Sequence, residues 1–259
     1  MTATAAPRFA HYPSLQGRTV VITGGATGIG ETLVREFAAQ GAQVGFTDIA
    51  VEAGHALAAA LQDAPTPPLF VPGDITDIPA LRGAIEQIRQ AFGPVGALLN
   101  NAANDRRHQV AEVTPEFWDQ AQAVNLKQVF FATQAVLPDM QALGGGSVIN
   151  FGSVSWMLRQ GGLAAYASAK AAMHGLSRTL ARDLGPHRIR VNTLVPGWVM
   201  TEKQLRLWVD DAAREEIKRG QCIGEPLQPE HVARLALFLA ADDSAMCTAQ
   251  TYIVDGGWV

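Results

Sequence analysis

Cysteine is scarce in this chain. Cys222 and Cys247 are the two it has in 259 residues, and their spacing fits neither a disulfide framework nor a set of metal ligands. They read as isolated thiols suited to a reducing cytoplasm. The six histidines show no ligand clustering, so no metal site is expected. Long apolar runs are missing, since nothing approaches the ~20 residues that cross a bilayer, and no membrane association is expected. The first residues, MTATAAPRFAHYPSL, carry one arginine and no apolar centre, which argues against a secretory signal. Residues 1–14 read as a frayed arm. Blocks of like charge are absent too. With a net charge of −4 and no basic stripe to follow a phosphate backbone, nucleic acid is not an expected partner. No repeat, low-complexity tract or linker divides the remainder, so residues 15–259 are expected to form one domain.

What is present is core. Hydrophobic residues make up 48% and charged residues 17%, the balance of a soluble globular protein. Short apolar, β-branched runs at 18–23, 43–47, 69–72, 97–99, 147–151, 189–195 and 250–254 read as buried strands. Between them, 31–40, 51–61, 79–92, a long segment after Thr114-Pro115-Glu116, the segment through Tyr166 to Leu184, and 229–240 read as helices. Such alternation predicts an α/β protein with a doubly wound parallel sheet and helices on both faces. Ligands on such a sheet bind beyond the carboxyl ends of the strands.

The first strand runs into Gly24-Gly25-Ala26-Thr27-Gly28-Ile29-Gly30 and then a helix. Strand, glycine turn, helix is the context of a phosphate-binding turn. Glycines let backbone approach a pyrophosphate, and the helix N-terminus offers unpaired N–H groups. The second strand ends at Asp48, eighteen positions after Gly30. A carboxylate about 20 residues on can reach an adenosine ribose diol, and the other role open to it is capping the helix at 51–61. A carboxylate there repels a 2′-phosphate, and neither Ile49 nor Ala50 supplies a cation, so NAD is favoured over NADP. Asp74 and the Asn100-Asn101-Ala102-Ala103 turn fall at the ends of further strands, beside the glycine turn.

The stretch from 153 to 170, SVSWMLRQGGLAAYASAK, carries the chemistry. Tyr166 and Lys170, four apart in an Ala-rich segment, share one helix face. A phenol that must take a proton needs its pKa brought down from ~10, and an adjacent ammonium favours the phenolate. Ser153, thirteen residues before Tyr166, can hold the substrate oxygen. Asn125, by itself, is a polar residue on a helical face.

Glycine turn, Asn-Asn-Ala-Ala, Ser153, Tyr166-x-x-x-Lys170 and Pro196-Gly197 occur here in the order of the classical short-chain dehydrogenases/reductases, which the chain resembles from Leu15 to Val259. The resemblance implies a Rossmann fold with seven strands in the order 3-2-1-4-5-6-7. It implies a catalytic tetrad of Asn125, Ser153, Tyr166 and Lys170, in which the asparagine keeps a water in a proton relay and the lysine holds the nicotinamide ribose. It implies cofactor contacts from Gly24, Thr27, Gly28, Ile29, Gly30, Asp48, Asp74, Ile75, Asn101, Ala102, Ala103, Pro196, Gly197, Val199 and Thr201, and a homotetramer. Ala103 stands where the family more often has glycine.

Three segments bear on the substrate. The run Asn104-Asp105-Arg106-Arg107-His108 follows the cofactor turn, Ser155 and Trp156 follow the catalytic serine with Gln160 shortly after, and Trp198 follows Pro196-Gly197. A flat aromatic ring among polar donors and acceptors suits a polyhydroxylated ring, whereas a steroid or acyl chain calls for a more apolar lining. Asn104, Arg107, His108, Ser153, Ser155, Trp156, Gln160, Tyr166 and Trp198 are the substrate candidates. Asn104-Asp105-x-Arg107-His108, Ile149-Asn150-Phe151-Gly152-Ser153 and Tyr12-Pro13-Ser14-Leu15 look like the bacterial aldose 1-dehydrogenases, which implies oxidation of a cyclic sugar at C1 to its lactone. A dehydrogenase for another secondary alcohol or ketone, and a non-catalytic NAD sensor, are the rival readings. Residues 198–222 read as a helical lid with Leu205, Trp208, Val209 and Ala212 as its apolar stripe.

Overall fold

In the run Thr19–Thr23 (TVVIT) every residue is buried, so apolar side chains leave both faces of this strand and it can sit only at the centre of a sheet covered on both sides. A computed structural model describes residues 9–259 and shows that arrangement. Residues 1–8 of the expected arm lie outside the described residues. In chain order the elements are β1 (Thr19–Thr23), α1 (Gly28–Ala39), β2 (Gln43–Asp48), α2 (Val51–Ala60), β3 (Leu69–Pro72), α3 (Ile78–Phe92), β4 (Val95–Asn100), α4 (Pro115–Gln122) and α5 (Gln128–Ala142). Then follow β5 (Gly146–Phe151), α6 (Ala164–Leu184), β6 (Ile189–Pro196), α7 (Glu202–Leu207), α8 (Asp211–Gly220), α9 (Pro229–Ala240) and β7 (Thr251–Val254).

All seven strands form one sheet in the order β3-β2-β1-β4-β5-β6-β7, every neighbouring pair parallel. The expected strand order is met. Two apolar clusters fill the two faces. On one, Leu33 and Phe37 of α1 meet Val232, Ala236 and Leu237 of α9. On the other, Ile85 and Ile88 of α3 meet Val136 and Met140 of α5 and Leu184 of α6. The chain first winds outward from β1 to β3 and then restarts at β4 on the other side of β1. The crevice for a ligand therefore lies beyond the carboxyl ends of β1 and β4.

Two expectations change. The long helix after Thr114 is not one α-helix: residues Ala123–Lys127 form a π-helical turn between α4 and α5. The segment 198–222 is helical but forms two short helices, and its expected stripe does not pack inward. Leu205 and Trp208 are exposed, while Ala213 and Ile217 are the buried pair. The segment begins in an extended stretch and breaks at Trp208, so the phase of its apolar residues resets between α7 and α8. Among the described residues no helix is long and apolar enough to cross a membrane.

Asp139 ties three elements together. Its carboxylate accepts from Arg89 Nε of α3 at 2.8 and 2.9 Å and from the Val95 backbone N–H at the start of β4 at 3.2 Å. It is buried, so removing it strips the Nε bonds from the Arg89 guanidinium, which keeps Glu86 and the Ala135 carbonyl, and takes the acceptor from the Val95 N–H. Asp139→Ala should lower stability by about 2–4 kcal/mol in urea unfolding, and Asp139→Asn, which keeps an acceptor for Val95, should lose less. Equal, small losses in both would remove this role.

Candidate active site

The glycine turn is shaped by two close approaches. Gly24 and Gly28 have φ of +66° and +59°, a region that favours glycine. At Gly30 an added Cβ would come within 1.8 Å of the Gly24 carbonyl oxygen, so the start of α1 packs directly on the turn. The end of β4 is stitched to the same turn. Asn101 Nδ2 donates to the carbonyls of Thr23 (3.1 Å) and Gly24 (2.8 Å), and the Ala102 N–H donates to Thr23 Oγ1 (3.2 Å). Asp48 does not cap α2, whose N-cap is Ala50. Its carboxylate accepts from the N–H groups of Ala26 (3.0 Å) and Ala50 (2.9 Å), holding the glycine turn against the end of β2.

Beyond these strand ends lies a cavity of about 1480 Å³. Every residue expected to contact a cofactor lines it, from Gly24 through Asp48, Asp74, Ile75 and Asn101–Ala103 to Val199 and Thr201. The exposed methyl of Ala103 lies at its edge. A cradle that any side chain at Gly30 would fill, a helix N-terminus facing the cavity and a carboxylate at the end of β2 fit a dinucleotide.

Ser153, Tyr166 and Lys170 line the same cavity. Ser153 follows β5, and its Oγ accepts from the Ser155 N–H at 3.2 Å. Tyr166 and Lys170 lie in the first two turns of α6. Lys170, 2% exposed, donates from Nζ to the Phe151 carbonyl at 2.7 Å, and the same nitrogen stands 5.7 Å from the centroid of the Tyr166 ring. The tyrosine pKa is not lowered, contrary to the sequence expectation. Burial pushes the Tyr166 phenol up to about 12, outweighing a hydrogen bond with Ser153 that lowers it, while the Asp105 carboxylate adds to the rise. Burial brings the Lys170 ammonium down to about 8. Burial thus works against the charged form of both groups, favouring the protonated phenol and weakening the ammonium.

Asn125 does not reach the cavity. It is completely buried in the π-helical turn, and its side chain grips the next loop. Oδ1 accepts from the Asn104 N–H (2.9 Å), and Nδ2 donates to the carbonyls of Asn104 (3.1 Å) and Ala121 (2.9 Å). Both amide hydrogens are engaged, so the side chain has no donor left for a water.

Of the substrate candidates, Asn104, Arg107, Ser153, Ser155, Gln160, Tyr166 and Trp198 line the cavity. His108 and Trp156 do not. The His108 ring is held between Arg106 O and the Ala165 N–H at the start of α6 and packs edgewise on Phe117. Trp156 lies on the surface against His174. Ser155 is buried to 4% exposure and its hydroxyl has no protein partner.

Sequence reasoning missed two features. Asn100, Asn150, Ser177 and Thr193 form a buried chain of hydrogen bonds across β4, β5, α6 and β6 (2.9, 2.9 and 2.8 Å), bracing the strand ends below the site. Asp105 binds Lys203 and Gln204 of α7. Lone polar residues inside apolar strands were the signal for the first; nothing in the sequence pairs residues 98 positions apart. Among the described residues, no group of three or more His, Cys, Asp or Glu could hold a metal ion.

Residues 24–259 match the family model described as Enoyl-(Acyl carrier protein) reductase. The chain is 47% identical to the D-xylose 1-dehydrogenase of Caulobacter vibrioides, over 95% of this chain and 98% of that protein. It is 43% identical to "Probable galactose dehydrogenase GalD" of Rhizobium meliloti, over 95% and 96%. A solved gluconate 5-dehydrogenase from Burkholderia cenocepacia, in complex with NADP and tartrate, superposes with a TM-score of 0.87 at 33% identity, over 94% and 96%.

With only four lysines in the chain, the state of Lys170 can be read directly. In ¹³C-labelled protein one lysine ε-resonance should titrate near 8, with Lys170→Met removing it. Four lysines all titrating above ~10 would contradict the buried, weakened ammonium.

Proposed function

The chain belongs to the short-chain dehydrogenase/reductase family, and from that premise we propose that it is an NAD-dependent aldose 1-dehydrogenase, oxidising a cyclic pentose or hexose at C1 to the aldonolactone. One observation carries this reading: Ser153, Tyr166 and Lys170 open into the same cavity as the glycine cradle and Asp48. Bound there, the nicotinamide ring supplies the hydride acceptor. The residues of the chain handle oxygen and proton. Ser153 Oγ holds the anomeric hydroxyl and stabilises the charge that develops on it. Tyr166, once it has lost its own proton against the burial that raises its pKa, acts as the phenolate and takes the hydroxyl proton as hydride leaves C1. Lys170, beside the phenol and within reach of a ribose, favours the phenolate as long as it keeps its charge.

Asp48 supports NAD over NADP, because a carboxylate at the end of β2 repels a 2′-phosphate. Arg35 of α1 also lines the cavity, but its two hydrogen bonds both go to Glu31 Oε1, at 3.0 and 2.8 Å. The sugar assignment is supported by the names of the relatives and by the lining. The buried, unpartnered Ser155 hydroxyl, Asn104, Gln160 and the half-buried Trp198 offer hydrogen-bonding groups around one aromatic face, which a ring with an apolar face and a hydroxyl rim can use. A cytoplasmic homotetramer completes the proposal. The free thiols agree with a reducing compartment, and the unpaired edge of β7, with Ile253 exposed, and the exposed Trp118 and Phe130 agree with burial against further copies.

Purified protein given NAD and a panel of pentoses, hexoses and non-sugar alcohols should form NADH with one or two aldoses only. Activity confined to a non-sugar alcohol would overturn the sugar assignment. Tyr166→Phe should lower kcat by about a thousandfold and leave NADH binding within about twofold; substantial turnover in that variant would sink the mechanism. The ratio of kcat/KM for NAD to that for NADP should exceed about tenfold, since like charges would meet at Asp48 with NADP. A ratio near or below one would remove that role from Asp48.

A further inference from the structure

The loop that follows β4 and the lid are joined side chain to side chain, and Asp105 sits at the junction. Its Oδ1 accepts from Lys203 Nζ at 2.5 Å and its Oδ2 from Gln204 Nε2 at 2.9 Å. Gln204 Oε1 in turn accepts from Trp198 Nε1 at 3.0 Å. That amide has one possible orientation, because an indole N–H only donates and a carboxylate only accepts. Burial works against the Asp105 charge, yet Lys203 and Gln204 outweigh it and hold the carboxyl below its usual range. The reaction described above gives Asp105 no proton and no substrate atom.

The lid depends on such struts. None of the residues of α7 is buried, so apolar packing does not fix this helix. Its approach is anchored at Val199 and Met200, both buried, and by the Met200 N–H on the Leu227 carbonyl at 2.8 Å. Beyond that point polar contacts take over. Arg107, two residues past Asp105, stacks its guanidinium 4.2 Å from the centroid of the Trp208 ring, just past the end of α7. The same loop thus meets the helix at both ends.

We propose that Asp105 is a positioning residue of this site: through Gln204 it sets the plane of the Trp198 indole at the substrate end of the cavity, and through Lys203 it pins α7 over the reacting groups. The part that gives Trp198 a sugar face rests on the function proposed above. The part that fixes the lid does not.

The test compares the wild type with Asp105→Ala, Gln204→Leu, the double variant and Asp105→Asn. Two readouts are needed: hydrogen exchange of the amides at 202–208, with and without NADH, and steady-state kinetics with the best aldose. In both single variants, exchange at 202–208 should speed up by about tenfold. KM for the sugar should rise by about tenfold while kcat falls by less than about threefold. The double variant should be no worse than either single one, because both break the same chain of contacts. Asp105→Asn keeps an acceptor for Gln204 and should restore most of the KM. Unchanged exchange, effects that multiply in the double variant, or a loss carried by kcat alone would overturn the proposal. Gln204 lies on the lid surface helix, so its variant keeps the test open if Asp105→Ala fails to fold. A wild type silent on every aldose would sink the function while the exchange comparison still reads the latch.

Discussion

The site depends on how the sheet solves a problem at its switch point. Strands β1 and β4 lie side by side in the middle of the sheet, and at their carboxyl ends the chain must turn away, leaving carbonyls without ladder partners. Asn101 answers this with one amide nitrogen on two carbonyls, Thr23 and Gly24, and the Ala102 N–H returns a bond to Thr23 Oγ1. The strand end that would line the cavity is thereby locked to the glycine turn. Gly30 then closes against that turn with no space for a side chain. Below it, the Asn100–Asn150–Ser177–Thr193 chain connects β4, β5 and β6 to α6, the helix that bears Tyr166 and Lys170. The glycine turn and the Tyr166–Lys170 pair are thus held to one another by buried hydrogen bonds in a low-dielectric interior, where such bonds are stiff and costly to break.

That same interior sets the acid–base character of the site. Burial raises a phenol and lowers an ammonium, so the environment that orients Tyr166 and Lys170 also works against the ion pair they could form. Lys170 finds its partner in the Phe151 carbonyl. A neutral dipole takes one of its three donors without cancelling its charge. The lysine's charge is weakened by burial rather than cancelled by an anion, and the same burial favours the protonated phenol.

Much of this was legible in the chain because the signals are local. Apolar runs of three to seven residues give parallel strands their identity, and the glycine turn, the Tyr166–Lys170 spacing and Asp48 each lie within one strand–turn–helix unit. The cofactor candidates line one cavity because they all sit at strand ends on the same side of one sheet. What stayed illegible involves distance or environment. The Asp105 contacts cross 98 and 99 positions. The direction of the Tyr166 shift depends on burial, which a neighbouring lysine in the sequence does not reveal. His108 and Trp156 have the right residue types for a sugar, but one braces the start of α6 and the other lies on the surface. The expected lid stripe failed because a single helical phase does not run through the break at Trp208.

The π-helical turn at Ala123–Lys127 has a consequence for how this chain can vary. A π turn holds one more residue than an α turn, so it acts as a phase offset between two helices in line. Upstream, α4 packs near the start of α6; downstream, Val129, Ala132 and Val136 of α5 face the sheet. Each residue of an α-helix advances the azimuth by about 100°. Losing one residue here would turn every downstream side chain by that angle relative to every upstream one, and Asn125 would no longer face the Asn104 backbone. The length of this stretch is therefore constrained by the register it sets between α4 and α5, apart from which residues fill it.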